Sequence, residues 1–347
     1  MQKIKAALLS YGLSGKVFHA PFLELHPRFE LTGSWERSKK LIQQDYPNVK
    51  SYASLEELLK DGVDLVVVNT PVETHYEYTK KVLEAGKHAL VEKAFTTTAA
   101  EAEALRDLAK AKGLKLCVYQ NRRWDSDFKT VKEVVDENLL GDIVEAEFRF
   151  DRYNPNLSPK AHKETQNAGA GVLKDLGPHI IDQAVHLFGY PDSVFADIRI
   201  TRENSLVDDL IDILLYYPDK RVKIRAGFFF REAVPSYAVH GTKGSFLKSR
   251  GDIQEDVLRT GQKPTLEGWG IEPEEKAGIL HTEKNGEVFR GHIPTRPGNY
   301  YGLFDALYHS ITEDKPEPVT ADEALRVMKI IDAAILSSKE KKVIQLK

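Results

Sequence analysis

Between Ile4 and Tyr119 the chain alternates short β-branched runs with amphipathic helical patterns, and few architectures accommodate that alternation. Parallel strands need a crossover of a dozen or more residues, which a helix supplies, so the pattern predicts a parallel sheet covered by helices. The strand candidates are Ile4 to Ser10, Phe29 to Ser34, a short run near Ser51, Leu65 to Asn69, His88 to Glu92 and Lys115 to Tyr119. Ser54 with Glu57, Thr74 with Glu77, and Thr98 with Glu101 mark helix starts, because hydroxyl and carboxylate at that spacing satisfy free amides of a first turn. Gly86 and Gly113 then supply the left-handed residue that ends a helix.

The first strand candidate runs into Ser10-Tyr-Gly-Leu-Ser-Gly, and a helix carrying Lys16, Val17, Phe18 and His19 follows at once. Glycines in such a turn let the backbone approach a pyrophosphate, which sits on amides at the helix start. Gly12, Leu13, Ser14 and Gly15 are therefore cofactor candidates, although Ser10 replaces the first glycine of the usual fingerprint. An acid at the end of the second strand binds the ribose 2′-hydroxyl of NAD, whereas an arginine there accommodates the 2′-phosphate of NADP. Here Glu36 is followed by Arg37 and Ser38, with Lys39 and Lys40 behind them, and the cations favour the phosphate. Trp35 or Arg37 offers a surface for adenine. Ligands bind at the carboxyl ends of parallel strands, so Thr70, Pro71 and His75 after one strand and Glu92 and Lys93 after the next should border the nicotinamide, with Asn121 near them.

The pattern changes after Asn121. A helix from about Ser126 to Glu137 precedes long strand candidates at Ile143 to Phe150, Ser193 to Thr201, Leu206 to Tyr217 and Val222 to Phe230, with a turn at Pro218 and Asp219. Strands joined by tight turns predict a mostly antiparallel sheet. His240 to Ser245 reads as a further turn, and Gly251 to Gly298 carries no clear pattern. Helices are expected near Tyr300 to Thr312 and Ala321 to Ser338, the second opened by Thr320 and Glu323. A chain of 347 residues exceeds the usual single-domain size, and we expect two domains: an α/β dinucleotide-binding domain over 1–122, and a substrate-binding and oligomerising α+β domain with a large open sheet over 123–347.

Within the second half, Gly171 to Asp182 places Asp175, His179 and Asp182 at i, i+4 and i+7. On one helix those positions lie above one another. Pro178 either falls in the first turn of a helix starting near Gly177 or kinks a longer one. Imidazole beside carboxylate is a proton-transfer unit, and a solvated polar face is the simpler account of the spacing by itself. A formal net charge of -3 without charged blocks gives no sign of a nucleic-acid partner, and no run approaches the length of a membrane span. The one cysteine, Cys117, lies in an apolar run and fits a reducing cytoplasm. No recognisable zinc set is present, so no metal is expected.

With Gly12, Gly15, Glu92-Lys93, Asp175 and His179 in this order, the whole chain resembles the glucose-fructose oxidoreductase, inositol dehydrogenase and rhizopine-catabolism family, abbreviated Gfo/Idh/MocA. The resemblance implies a Rossmann domain followed by a domain built on a large open sheet, and oxidation or reduction of a hydroxyl on a sugar or cyclitol. It implies Lys93, Asp175 and His179 as the catalytic set, with Asp182 where inositol dehydrogenases hold substrate. Arg123, Tyr153 and Tyr301 are further substrate candidates. Ala94 departs from the family's proline, which loosens the turn presenting Lys93. Tyr119 to Asp125 and Leu176 to Asp182 are similar to NADP-dependent scyllo-inositol dehydrogenases, which favours NADP over NAD. A dimer or tetramer is expected by the same likeness. The alternative is a catalytically silent NAD(P)-sensing regulator of the same fold, from which the retained Lys93, Asp175 and His179 argue away.

Overall fold

A computed structural model describes residues 3–36, 39–158, 164–165, 167 and 169–346. The chain divides into two compact units: 1–124 with 253–269 and 299–325, and 125–252 with 270–298 and 326–347.

The first unit is a six-stranded parallel sheet of β1 (Ile4–Leu8), β2 (Phe29–Trp35), β3 (Lys50–Tyr52), β4 (Leu65–Val68), β5 (His88–Glu92) and β6 (Leu116–Tyr119), ordered β3-β2-β1-β4-β5-β6. The order reverses direction between β1 and β4, which opens a crevice at their carboxyl ends. All four residues of β4 are buried, as expected of a strand covered on both faces. The covering helices are α1 (Ala20–Leu25), α2 (Ile42–Asp45), α3 (Leu55–Lys60), α4 (His75–Glu84) and α5 (Ala99–Lys112). Ser54 caps α3 and Thr98 caps α5, each by accepting the amide three residues on, and Gly113 ends α5 at φ 63°.

The Thr74–Glu77 pair, expected to cap α4, does not do so. A 3₁₀ turn, Val72–Thr74, runs straight into the helix, and the His75 amide already bonds the Val72 carbonyl. With no free end to satisfy, the Thr74 hydroxyl donates to the Pro71 carbonyl at 2.7 Å instead.

The second unit opens with α6 (Ser126–Asp136) and is built on nine strands: β7 (Ile143–Asp151), β8 (Ser193–Arg199), β9 (Leu210–Tyr216), β10 (Arg221–Gly227), β11 (Tyr237–Gly241), β12 (Gly244–Lys248), β13 (Gly278–Lys284), β14 (Glu287–Ile293) and β15 (Ile344–Gln345). Their order is β14-β13-β12-β11-β7-β10-β9-β8-β15, and every pairing is antiparallel except β7 with β10. In β9 and β10 buried residues alternate with half-buried ones, so one face is covered and the other is open. Two helices, α7 (Val172–Asp175) and α8 (Gly177–Phe188), pack on β7, β9 and β10.

Three further α-helices are found among the described residues. In the first unit, α9 (Gln254–Arg259) and α10 (Tyr301–Glu313) lie beside the Rossmann-type sheet, Phe304 of α10 stacking on Phe22 of α1 with ring centroids 5.5 Å apart. Helix α11 (Ala321–Glu340) starts with Thr320 and Glu323 capping each other, as the sequence predicts. Farther along it, Ser337 and Ser338 accept the amides of Ala196 and Ile198 at 2.9 Å. No described helix is long and apolar enough to cross a membrane.

Strands β13 and β14 and helix α9 fall in the stretch from Gly251 to Gly298, where no pattern was legible, and β11 and β12 flank it on the amino-terminal side. The turn expected over His240 to Ser245 is two residues long, between β11 and β12.

Candidate functional site

At the carboxyl end of β1, Ser10 to Gly15 turns the chain toward α1 through a wide π-helical segment, Gly15–His19. Ser10 takes the place of a glycine and is held by Asn69 at the end of β4. The Asn69 side chain accepts the Ser10 amide at 3.0 Å and donates to the Ser10 carbonyl at 2.9 Å, while the Ser10 hydroxyl donates to the Asn69 carbonyl at 2.9 Å. Gly15 has no room for a side chain, since a Cβ there would lie 2.5 Å from the Ser10 carbonyl oxygen. At Gly12 a Cβ would project into open space, so the backbone is bare where a ligand could approach. Leu13 is half exposed beside it.

A cavity of about 340 Å³ adjoins this turn, lined among others by Gly12, Trp35, Glu36, Lys39, Pro71 and Tyr78. The rings of Trp35 and Tyr78 meet edge to face with centroids 5.4 Å apart and wall one side, a surface suited to a flat heterocycle. Glu36 faces inward to its own chain: its two oxygens accept the amides of Leu41 at 2.7 Å and Ile42 at 3.1 Å, at the start of α2. Lys39 lines the same cavity. Arg37 and Ser38 lie outside the described residues.

His75 is not at the cavity surface. Its ring is buried, with Nε2 2.8 Å from the Thr70 carbonyl and Nδ1 2.9 Å from that of Ala94. It therefore joins the loops after β4 and β5. Burial holds its pKa below the usual imidazole value, so the ring is neutral at pH 7 and donates to one of those carbonyls. Glu92 ends β5, with Oε1 2.9 Å from His19 Nε2 and Oε2 accepting the Lys93 amide at 3.2 Å. Burial pushes the Glu92 carboxyl up, but the hydrogen bond from His19 and the nearby Lys93 ammonium outweigh it and hold the group below the usual range. Asn121 is buried in the Asn121–Trp124 turn that follows β6. Arg123, in the same turn, pairs with Glu323 at 2.9 Å. Tyr301 stacks on His26 with centroids 4.8 Å apart.

The second unit holds the acid and imidazole of the Gly171–Asp182 segment. The helix breaks at Leu176, and Pro178 lies in the first turn of α8, where its missing amide costs nothing. Asp175 closes α7, whereas His179 and Asp182 sit on α8 and are buried. Asp208 sets the start of α7. The Asp208 carboxylate accepts the Leu173 amide at 2.7 Å, and its carbonyl accepts the Val172 amide at 2.9 Å. Gly171 is required there: at φ 93° any Cβ would fall 2.0 Å from Asp208 Oδ1. The next acid, Asp209, accepts the Thr201 and Arg202 amides at 2.7 and 2.9 Å and the Arg202 Nε at 3.1 Å. Arg202 reaches on to Glu164 at 2.9 Å and the Asn156 carbonyl at 3.1 Å. Tyr153 is exposed and carries the Arg231 guanidinium over its ring at 4.1 Å.

Sequence reading missed Asn69, Tyr78, His19 and Asp208 as parts of these sites. Asn69 had a signal, because a serine in a glycine position needs a partner to hold the turn. Tyr78 and Asp208 had none, since each meets its partner across a long separation in the chain.

A parallel sheet of this order, with a bare glycine turn and an aromatic-walled cavity at its switch point, defines a dinucleotide-binding protein. Comparison with known proteins makes the class specific. The model of the oxidoreductase family's NAD-binding Rossmann fold matches residues 4–120, and that of the family's C-terminal alpha/beta domain matches residues 132–346. The chain belongs to the Gfo/Idh/MocA oxidoreductase family. It is 39% identical to scyllo-inositol 2-dehydrogenase (NADP(+)) IolW of Bacillus subtilis, over 99% of this chain and 96% of that one. It is 35% identical to the uncharacterized oxidoreductase YdgJ of Escherichia coli, over 97% of each. The solved structure of YvaA from Bacillus subtilis superposes with a TM-score of 0.96 at 38% identity, over 100% of this chain and 99% of that one.

Proposed function

We propose that this protein transfers hydride between NADP and a secondary hydroxyl of a cyclitol or sugar, with scyllo-inositol the favoured substrate. The observation that carries the reading is Lys93, directly after the half-buried Glu92 at the carboxyl end of β5, in a chain that matches both family domains and keeps Asp175 and His179. The substrate assignment rests on the likeness to the IolW dehydrogenase. NADP is supported by that likeness and by Glu36, whose oxygens are engaged by backbone amides while Lys39 lines the cavity beside it. We assign the nucleotide to residues 1–122 and the polyol to 123–347, in a cytoplasmic protein.

The glycine turn fits a pyrophosphate, with Gly12, Leu13, Ser14 and Gly15 around it and Trp35 and Tyr78 beside the adenine. Bound there, the cofactor supplies the hydride acceptor. Thr70 and Pro71 line the cavity with Trp35 and Tyr78, and Asn121 is assigned to the nicotinamide end. Lys93 donates a hydrogen bond to the reacting oxygen and favours its deprotonated form. His179 takes the hydroxyl proton as the carbinol hydrogen leaves as hydride, and Asp175 orients the imidazole. Asp182 and Tyr153 hold other ring hydroxyls; Arg123 and Tyr301, already paired with Glu323 and His26, shape the wall. General acid-base assistance is worth roughly 10² to 10⁴ in rate, so His179→Ala should lower turnover by about that factor with little change in NADP affinity. The half-buried Leu210, Leu214 and Tyr216 on the open sheet face support a homodimer or homotetramer, testable by light scattering.

The test is reduced-nicotinamide absorbance with NADP or NAD against a panel of inositols and aldoses. Nucleotide binding without turnover of any polyol would favour the regulatory alternative.

A further inference from the structure

Three side chains behind Lys93 have no part in the scheme above. His19 ends the Gly15–His19 π-helical turn, a rare geometry that recurs at functional sites, and its side chain is 0% exposed. Its Nε2 lies 2.9 Å from Glu92, whose other oxygen accepts the Lys93 amide. Tyr119 of β6 is the register partner of Glu92 in β5. Its ring packs on the His19 ring with centroids 4.4 Å apart, and its hydroxyl donates to the Phe18 carbonyl at 3.0 Å.

Packing alone does not explain a histidine here. Its Nδ1 is buried without a hydrogen-bond partner, and an orphaned buried polar atom destabilises, so phenylalanine would fill the space among Tyr119 and Phe304 at lower cost. What histidine adds is one N–H aimed at a carboxylate. With Nδ1 unpaired, the ring carries its proton on Nε2 and donates it to Glu92.

We propose that His19 is a positioning residue for Lys93: it fixes the Glu92 carboxylate, which grips the Lys93 amide, and so ties the nucleotide-cradling turn to the lysine. This inference rests on the reading that Lys93 contacts the reacting oxygen. A small misplacement of a reacting group costs up to about a hundredfold in rate, so His19→Phe should lower kcat by about ten- to a hundredfold. NADPH affinity, measured by fluorescence titration, should stay near the wild-type value. His19→Gln, whose amide can donate to Glu92 from a similar reach, should recover most of the loss. In a Glu92→Gln background, adding His19→Phe should cost little more, because the pair acts as a unit. The melting temperature of the apo protein shows that each variant is folded.

The measurements use NADP with scyllo-inositol, or with whichever cyclitol or aldose the panel above turns over fastest. Wild-type kcat in His19→Phe, equal losses in the Phe and Gln variants, or a fall in NADPH affinity in step with kcat would each overturn the inference. Lys93→Met separates it from the reading beneath it. If that variant is slow and His19→Phe is normal, the inference alone fails; if Lys93→Met turns over normally, the lysine assignment fails and the inference with it.

Discussion

Asp208 is the carboxylate whose titration the fold should report most directly. Burial pushes its pKa from 3.8 to about 6, against the opposing pull of the Leu173 amide that it accepts. In the unfolded chain the group ionises near its ordinary value, so between pH 4 and 6 the folded protein holds a proton that the unfolded chain has lost. Stability from this site is therefore fully present below about pH 4 and is lost as pH rises through 6. A rise of about two pH units corresponds to about 3 kcal/mol, and solvent screening of a partly exposed residue cuts that to about 1 to 2 kcal/mol. Asp208→Asn removes the ionisation but keeps an oxygen for the Leu173 amide. Urea unfolding followed by tryptophan fluorescence should find the variant more stable than wild type at pH 7.5 by about that amount, and equal to it at pH 4. Asp209 is held below the usual carboxylate range despite its burial, by hydrogen bonds from Thr201 and Arg202. Its titration falls at lower pH and is common to both proteins, so it cancels in the difference. An Asn variant less stable than wild type at pH 7.5 would refute the reasoning, because it would mean that α7 needs an ionised acceptor.

Two further substitutions test the nucleotide half. Gly15→Ala drives a Cβ to 2.5 Å from the Ser10 carbonyl, a backbone atom that cannot move aside alone, so NADPH affinity should fall by at least about tenfold, about 1.4 kcal/mol; unchanged affinity in a titration would remove the turn from the binding site. Glu36→Ala strips two charge-assisted bonds from the start of α2 and should cost about 1 kcal/mol of apo stability while NADP stays preferred over NAD. A variant of unchanged stability that had lost NAD turnover selectively would make Glu36 a ribose acid instead.

Where burial and capping act together, the sequence was readable to the residue. Strand β5 runs from His88 to Glu92 as its apolar run predicts, and Thr320 with Glu323 opens α11 as the spacing predicts. The failures have physical causes. All but two residues of β14 are exposed, so this edge strand has no buried face to impose alternation on its sequence. Thr74 and Glu77 stand at the right spacing, but the preceding 3₁₀ turn leaves no unsatisfied helix end for them to cap. One parallel pairing, β7 with β10, is set by the fold of the whole unit and by no turn between the two strands.

The sites were legible where they are local and illegible where they depend on long-range partners. The turn from Ser10 to Gly15 and the Asp175–His179 segment are short stretches whose spacing suggests the proposed chemistry. His19 meets Glu92 across 73 residues, and Asp208 meets Leu173 across 35, so neither pairing leaves a mark in either stretch alone. The two departures from the family pattern are more informative than they looked. Ser10 in place of a glycine lengthens the list of groups that need partners, and Asn69 supplies all of them. Ala94 in place of proline removes a rigid ring from the turn after Lys93. The Ala94 carbonyl lies 2.9 Å from the His75 ring, and the residue is 3% exposed. Packing and one imidazole thus take over the restraint that the pyrrolidine would have given, and the ammonium keeps a fixed base without it.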